Sequence, residues 1–174
     1  MHKLIFLITA IFLLLGCSSK ENKIFFDKYE KNLDYHTQLQ KTEKTKLVDG
    51  NFSKTLLTAT YLFKDDTDLK QKDDKRDEEF IVGIYVDGDD GSFESEEYNL
   101  TLNGKSPKFV KVLKKDDPLL KTISFKSEWT KFYLFKFEHV NAKRFNLVFN
   151  SKTYGKGSLN FAKVAKFVFS GETI

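Results

Sequence analysis

The stretch Phe80-Ile81-Val82-Gly83-Ile84-Tyr85-Val86, residues 80–86, is apolar on both faces of an extended chain. A strand with one wet face alternates between apolar and polar residues, whereas a strand covered on both faces reads as a continuous apolar run. Residues 80–86 therefore predict a central strand of a β-sheet. The glycines and aspartates of Asp87-Gly88-Asp89-Asp90-Gly91 predict the turn that ends this strand.

Apolar residues recur at every second position elsewhere in the chain, which is the period of a strand. One face of a predicted strand carries Tyr133, Phe135 and Phe137. The other face of this strand carries Phe132 and Leu134. We expect the Phe135 face to lie in the core, and the Phe132 face to look toward solvent or to line a binding surface. The other predicted strands are Thr55–Phe63, Tyr98–Leu102, Phe109–Leu113, a weak one at Thr122–Lys126, Phe145–Phe149 and Leu159–Phe169.

Seven or eight short strands with no helical pattern between them predict a mainly β domain over residues 44–174. The expected architecture is an antiparallel β-sandwich, similar to immunoglobulin-like domains in architecture alone. No Cys-Trp-Cys framework accompanies the strands, since Trp129 lies at the entrance of one of them. A β-barrel or half-barrel is the alternative fold.

The segment before the strands has a helical period. Phe25, Tyr29, Leu33, His36 and Leu39 are spaced by three or four residues, which predicts one amphipathic helix over residues 23–43.

Charge is distributed unevenly along the chain. Residues 64–79 contain thirteen charged side chains in sixteen, so we expect a solvated loop there. Acidic residues outnumber basic ones before residue 100, and basic residues outnumber acidic ones threefold after it. A basic half could bind nucleic acid, an anionic lipid surface or an acidic partner. We favour two halves that interleave and neutralise each other.

The acidic turn is the one candidate for a metal site. Asp87, Asp89 and Asp90 offer the oxygen ligands that Ca²⁺ prefers, with three glutamates close behind them. The spacing does not match the EF-hand pattern, because position five counted from Asp87 is Gly91. We therefore expect a solvated hairpin, with these aspartates as weak Ca²⁺ candidates and no bound cofactor.

Residue types that serve catalysis or zinc binding are sparse. After the first sixteen residues, the only histidines are His36 and His139, and no second cysteine accompanies Cys17. The sequence Gly-x-Ser-x-Gly of a nucleophile elbow does not occur. We therefore predict a protein without a catalytic site, and a hydrolase with an unrecognised site is the weakest of the readings considered.

The first seventeen residues carry a targeting pattern. Lys3 precedes an apolar run from Leu4 to Leu15, which is too short to cross a bilayer but fits a secretory signal. The run ends in Leu14-Leu15-Gly16-Cys17, and this resembles the lipobox of bacterial lipoproteins. The resemblance implies a signal peptide over residues 1–16, cleavage between Gly16 and Cys17, and a tether over residues 17–22.

The lipoprotein resemblance also implies where the protein is held. Cys17 would carry a diacylglycerol on its thiol and an acyl chain, such as palmitate, on its new amino group. Ser18 in place of an aspartate implies transfer to the outer membrane, facing the periplasm. The expected function is a non-enzymatic binding or structural module of the cell envelope, with an envelope protein or lipid as partner and no nucleic acid. The alternative is a lipid carrier or envelope-assembly factor with an apolar cavity.

The anchor gives the first prediction. Cys17→Ala should leave the protein uncleaved or soluble, because two or three acyl chains supply nearly all the membrane affinity of such an anchor. Cell fractionation with immunoblotting measures this. A variant that is still cleaved and membrane-bound like the wild type would contradict the lipobox interpretation.

Overall fold

The computed structural model describes residues 41–62, 75–88, 91–94 and 96–163, together with Leu39. The predicted signal peptide, the lipid attachment at Cys17, the tether and nearly all of the predicted helix lie outside these residues. None of the described residues belongs to a helix that is long and apolar enough to cross a membrane.

The described chain is mainly β and forms two antiparallel sheets. One sheet has the strand order β1-β2-β3-β6-β5, and the other has the order β4-β7-β8. The strand that contains residues 80–86 is β3, and it lies in the middle of the larger sheet, as predicted. The strand bounds are β1 Thr42–Asp49, β2 Phe52–Tyr61, β3 Glu78–Val86, β4 Tyr98–Leu102, β5 Phe109–Leu113, β6 Lys131–Phe137, β7 Arg144–Ser151 and β8 Gly155–Ala162.

Aromatic rings from both sheets share one core. The Phe80 ring is fully buried on β3, with its centroid 5.0 Å from that of Tyr61 in the same sheet and 5.2 Å from that of Phe161 in the other. Tyr133, Phe135 and Phe137 of β6 belong to the same buried cluster, which confirms their predicted face. Rings that meet edge to face at such distances add attraction beyond the area they bury.

The opposite face of β6 is also buried, so the expectation that Phe132 looks toward solvent is wrong. Phe132 packs with Leu120 and Ile123 in a second cluster on the outer side of the larger sheet. These two residues follow Pro118, which starts a 3-10 turn at residues 118–120. The predicted weak strand Thr122–Lys126 is therefore wrong as well: the segment crosses over the sheet and buries single apolar side chains without joining a ladder.

Strand β1 is missing from the sequence-based predictions. It begins at Thr42, so the helix predicted over residues 23–43 is wrong for its last two residues. Only Leu47 of this strand is buried, and an edge strand with so little apolar surface shows no alternation to detect. Its ladder with β2 and the two-residue turn at Gly50, whose φ is 57°, hold it in place.

Several predicted boundaries also move. Glu78 and Glu79, assigned to the charged loop, begin β3, and the last strand starts at Gly155, four residues earlier than predicted. Residues 164–169, the predicted end of that strand, lie outside the described residues. Asn103-Gly104 forms a tight turn after β4, with positive φ at both residues.

The two seams between the sheets differ. At one seam β1 lies against β8, and a Cβ at Gly157 would come within 2.8 Å of the Thr45 methyl group, so glycine permits this approach. At the other seam, β4 and β5 border a cleft of about 340 Å³. The eight described strands thus form two separate sheets, and the alternative of one closed barrel is wrong for them.

The burial of both β6 faces gives the second prediction. Phe135→Ala and Phe132→Ala should each reduce the free energy of unfolding by about 3–5 kcal/mol, because each leaves a cavity in a packed cluster. Phe109→Ala on β5 is the control: its side chain is 46% exposed, and its loss should cost less than about 1 kcal/mol. Urea unfolding measures all three. A cost for Phe132→Ala as small as that of the control would show that the second cluster does not stabilise the fold.

Candidate functional site

A groove on the outer face of the larger sheet is the best candidate for a binding site. It encloses about 430 Å³, within the range of ligand pockets. We call it the aromatic groove. It is lined by Leu56, Thr58, Gly83, Tyr85, Ser124, Phe125, Lys126, Ser127, Trp129 and Thr130.

The floor of the aromatic groove is set by strand register. Leu56 of β2 pairs with Tyr85 of β3, and Thr58 pairs with Gly83, so all four lie on the outer face. A Cβ at Gly83 would lie 2.8 Å from the Phe132 ring and 2.9 Å from the Thr58 hydroxyl. The missing side chain therefore leaves room for the segment before β6 to lie close over the sheet.

The rim of the aromatic groove is the segment between the second cluster and β6. The hydroxyls of Ser127 and Thr130 lie 2.8 Å apart and hydrogen-bond across the turn that holds Trp129. Lys115 donates to the carbonyl of Glu128 over 3.1 Å and ties down the same turn. The turn leaves Trp129 77% exposed, although an indole of this size is usually well covered.

The groove combines aromatic and hydroxyl groups. Tyr85, Phe125 and Trp129 provide three aromatic side chains, and the Lys44 ammonium lies 3.1 Å from the centroid of the Phe125 ring. Among the described residues, the buried Ser124 hydroxyl has no hydrogen-bond partner.

The lining of the groove is mostly aromatic or hydroxyl-bearing. Among its described lining residues, Lys126 is the one charged side chain. The arrangement can stack a flat apolar face and hydrogen-bond its polar edge.

Asp87, the described aspartate of the acidic turn, forms an ion pair within the fold. Lys54 binds the Asp87 carboxylate at 2.9 Å, and this hydrogen bond and charge raise the pKa of Lys54. Asp89 and Asp90, the other two Ca²⁺ candidates, lie outside the described residues. In the described part of the chain, no group of three or more His, Cys, Asp or Glu side chains is placed to hold a metal ion.

A buried charged cluster lies at the end of β3. Glu78 is 3% exposed and accepts hydrogen bonds from the Tyr61 hydroxyl, from Lys163 at 2.6 Å and from the backbone N–H of Val140 at 2.9 Å. His139 lies 3.5 Å from the same carboxylate and contacts the carbonyl of Arg76 at 2.9 Å. Because the carboxylate is enclosed and paired, this cluster joins segments of the fold and is closed to a substrate.

Sequence reasoning did not find the aromatic groove. Its lining comes from β2, β3 and the segment at residues 124–130, which are brought together only by the register of β2 on β3. The sequence pattern places Trp129 only at the entrance of a strand. Two features of the sequence could have indicated the groove: a glycine, Gly83, within a central strand and the single tryptophan of the chain.

Comparison of the chain with protein-family models, with curated proteins and with solved structures finds no match. Function is therefore inferred from the geometry and chemistry of the site itself.

Glu97 gives the third prediction. It accepts hydrogen bonds from the Ser151 hydroxyl at 2.7 Å and from the Thr153 N–H at 2.9 Å, and these lower the pKa of the Glu97 carboxyl. A lowered pKa in the folded state means that ionised Glu97 stabilises the fold above its ordinary pKa. This contribution is lost as the pH falls through the folded-state value.

Glu97→Gln should therefore be less stable than the wild type at neutral pH, and the difference should shrink on acidification below pH 4.5. Thermal melts across an acid pH series measure this. Glu94→Gln, at an exposed position in the same turn, is the control. A difference from the wild type that stays constant across the series would show that Glu97 does not act through its charge.

Proposed function

We propose that this chain is a lipid-anchored, non-enzymatic binding module of the cell envelope that recognises a saccharide in the aromatic groove. The proposed anchor is a diacylglycerol and an acyl chain on Cys17, which hold the protein at the outer membrane, facing the periplasm. The folded domain then meets the glycans of the envelope, and it has no role with nucleic acid.

The observation that carries the proposal is the exposed Trp129 beside Tyr85 and a row of hydroxyls. Sugar rings have flat faces of C–H groups and edges of hydroxyls. Aromatic rings stack on the faces, while Ser and Thr hydroxyls donate to and accept from the edges. Five side chains of the groove carry a hydroxyl group: Thr58, Tyr85, Ser124, Ser127 and Thr130.

The packing of the core favours this proposal over a lipid carrier. A carrier needs an apolar cavity for an acyl chain. Between β3, β7 and β8, interlocking rings such as Phe80, Phe145 and Phe161 fill the space, with centroids 5.2–6.1 Å apart, and a cleft of about 340 Å³ remains at the seam of β4 and β5. As the finer architecture we propose an immunoglobulin-like sandwich, preceded by an amphipathic helix that begins near residue 23.

The fourth prediction uses Trp129, the only tryptophan of the chain, as its own reporter. Titration of the full lipoprotein in detergent with soluble fragments of cell-wall glycan should change the tryptophan emission saturably. Calorimetry of Trp129→Ala should show a loss of about 2 kcal/mol, or roughly thirtyfold in Kd, as expected when a central aromatic contact is removed.

Phe52→Ala is the matched control, since Phe52 is 75% exposed but lies outside the aromatic groove. Its affinity should equal that of the wild type. Equal affinities for Trp129→Ala and wild type, or an emission that does not respond to any glycan fragment, would refute the proposed ligand class.

A further inference from the structure

Strand β5 has an open edge. In the described part of the chain it pairs with β6 alone, so the backbone groups on its other side have no strand neighbour. Three of its five residues are exposed and apolar: Phe109 at 46%, Val110 at 43% and Val112 at 48%. Folded proteins usually cover, shorten or charge such an edge, because it is a template for another strand.

The open edge borders the cleft between β5 and β4. Val110 pairs with Phe135 and Val112 with Tyr133, so both valines face the side that the core rings occupy. The cleft of about 340 Å³ is lined by these valines together with Phe93, Tyr98 and Leu100, among others. A strand added to β5 would therefore place every second side chain in an apolar cleft and the others on the outer face.

Charge on the outer face selects among possible strands. Residues 108–115 contain four lysines and no carboxylate. Lys111 lies on the outer face at the middle of β5, and its ammonium is 3.9 Å from Asp117, at the long limit of an ion pair. An acidic residue on an added strand would meet this charge from the directly opposite position.

The same lysines disfavour a second copy of this chain as the occupant. In the centred antiparallel register, Lys111 would face Lys111 of the other copy, and Lys108 would face Lys114. Like charges directly opposite each other destabilise a pair of strands.

We propose that β5 binds an extended segment of a partner protein in which apolar and acidic residues alternate. The segment adds as a sixth strand to the larger sheet. Its apolar side chains fill the cleft beside Val110 and Val112, and its acidic side chains face Lys111. This site is separate from the aromatic groove, so it stands or fails independently of saccharide binding.

A charge exchange tests the proposal, and it is the fifth prediction. The probes are two labelled peptides, one of alternating valine and glutamate and one of alternating valine and lysine. Fluorescence anisotropy with the full lipoprotein in detergent should show tighter binding of the glutamate peptide. Lys111→Glu should instead bind the lysine peptide more tightly. The ratio of the two dissociation constants should then favour the lysine peptide by about fivefold, which is the upper end for one cross-strand charge pair.

Hydrogen exchange locates the binding. The amides of residues 109–113 should exchange more slowly with the glutamate peptide present. Val112→Glu should abolish peptide binding, because it places a charge in the cleft. Val48→Glu is the control, on the opposite edge strand with a similar exposure of 46%. It should bind like the wild type.

Other results overturn the proposal. Equal binding of both peptides by wild type and Lys111→Glu would remove the charge argument. A wild-type dimer in analytical ultracentrifugation that Val112→Glu dissociates would make a second copy the occupant. If the wild type binds a fluorescent fatty acid but neither peptide, and Val112→Glu abolishes fatty-acid binding, the cleft would be assigned to an acyl chain instead.

Discussion

The contact of rings across the two sheets is the constraint on which the rest of the structure depends. Phe80 lies on the central strand and touches Tyr61 and Phe137 in its own sheet, and Phe145 and Phe161 in the other. Because these rings interdigitate, neither sheet can slide or turn without losing several contacts at once. The positions of all surface features follow from this packing.

The smaller sheet covers the inner face of the larger sheet, and the segment that contains Leu120 and Ile123 covers only part of its outer face. The aromatic groove lies at the boundary of this partly covered outer face. Leu120 and Ile123 bury the outer face of β3 and β6, and the chain then leaves that face through the turn that holds Trp129. The groove lies where the cover ends, over Gly83. The stability of the fold and the proposed binding site thus depend on the same segment, since the residues that bury Phe132 come just before the turn that places the Trp129 indole.

Charged side chains have two roles in this protein, and the burial of each ion pair decides which role it has. Glu78 and Lys163 are enclosed and paired, so they hold chain segments together, and removing either one would take away a charge that balances the other in the interior. Surface pairs such as Lys54 with Asp87 contribute little to stability but occupy groups that a metal would need. The sequence shows each of these residues only as a charged side chain and does not distinguish the enclosed pair from the surface pair.

The sequence by itself determined the strands with a clear apolar pattern, because burial of both faces imposes a continuous apolar run and burial of one face imposes alternation: β3, β6 and β7 were placed within a few residues. It also carries the segment that resembles a lipobox, and the lipid anchor that this resemblance implies stays a prediction. Only the tertiary structure revealed β1, whose ladder with β2 needs little apolar surface. Only the tertiary structure likewise revealed that Leu120 and Ile123 bury Phe132 and that the aromatic groove exists. Residues distant in sequence meet at both places through strand register and crossing segments. Neither of these produces a periodic pattern in the sequence.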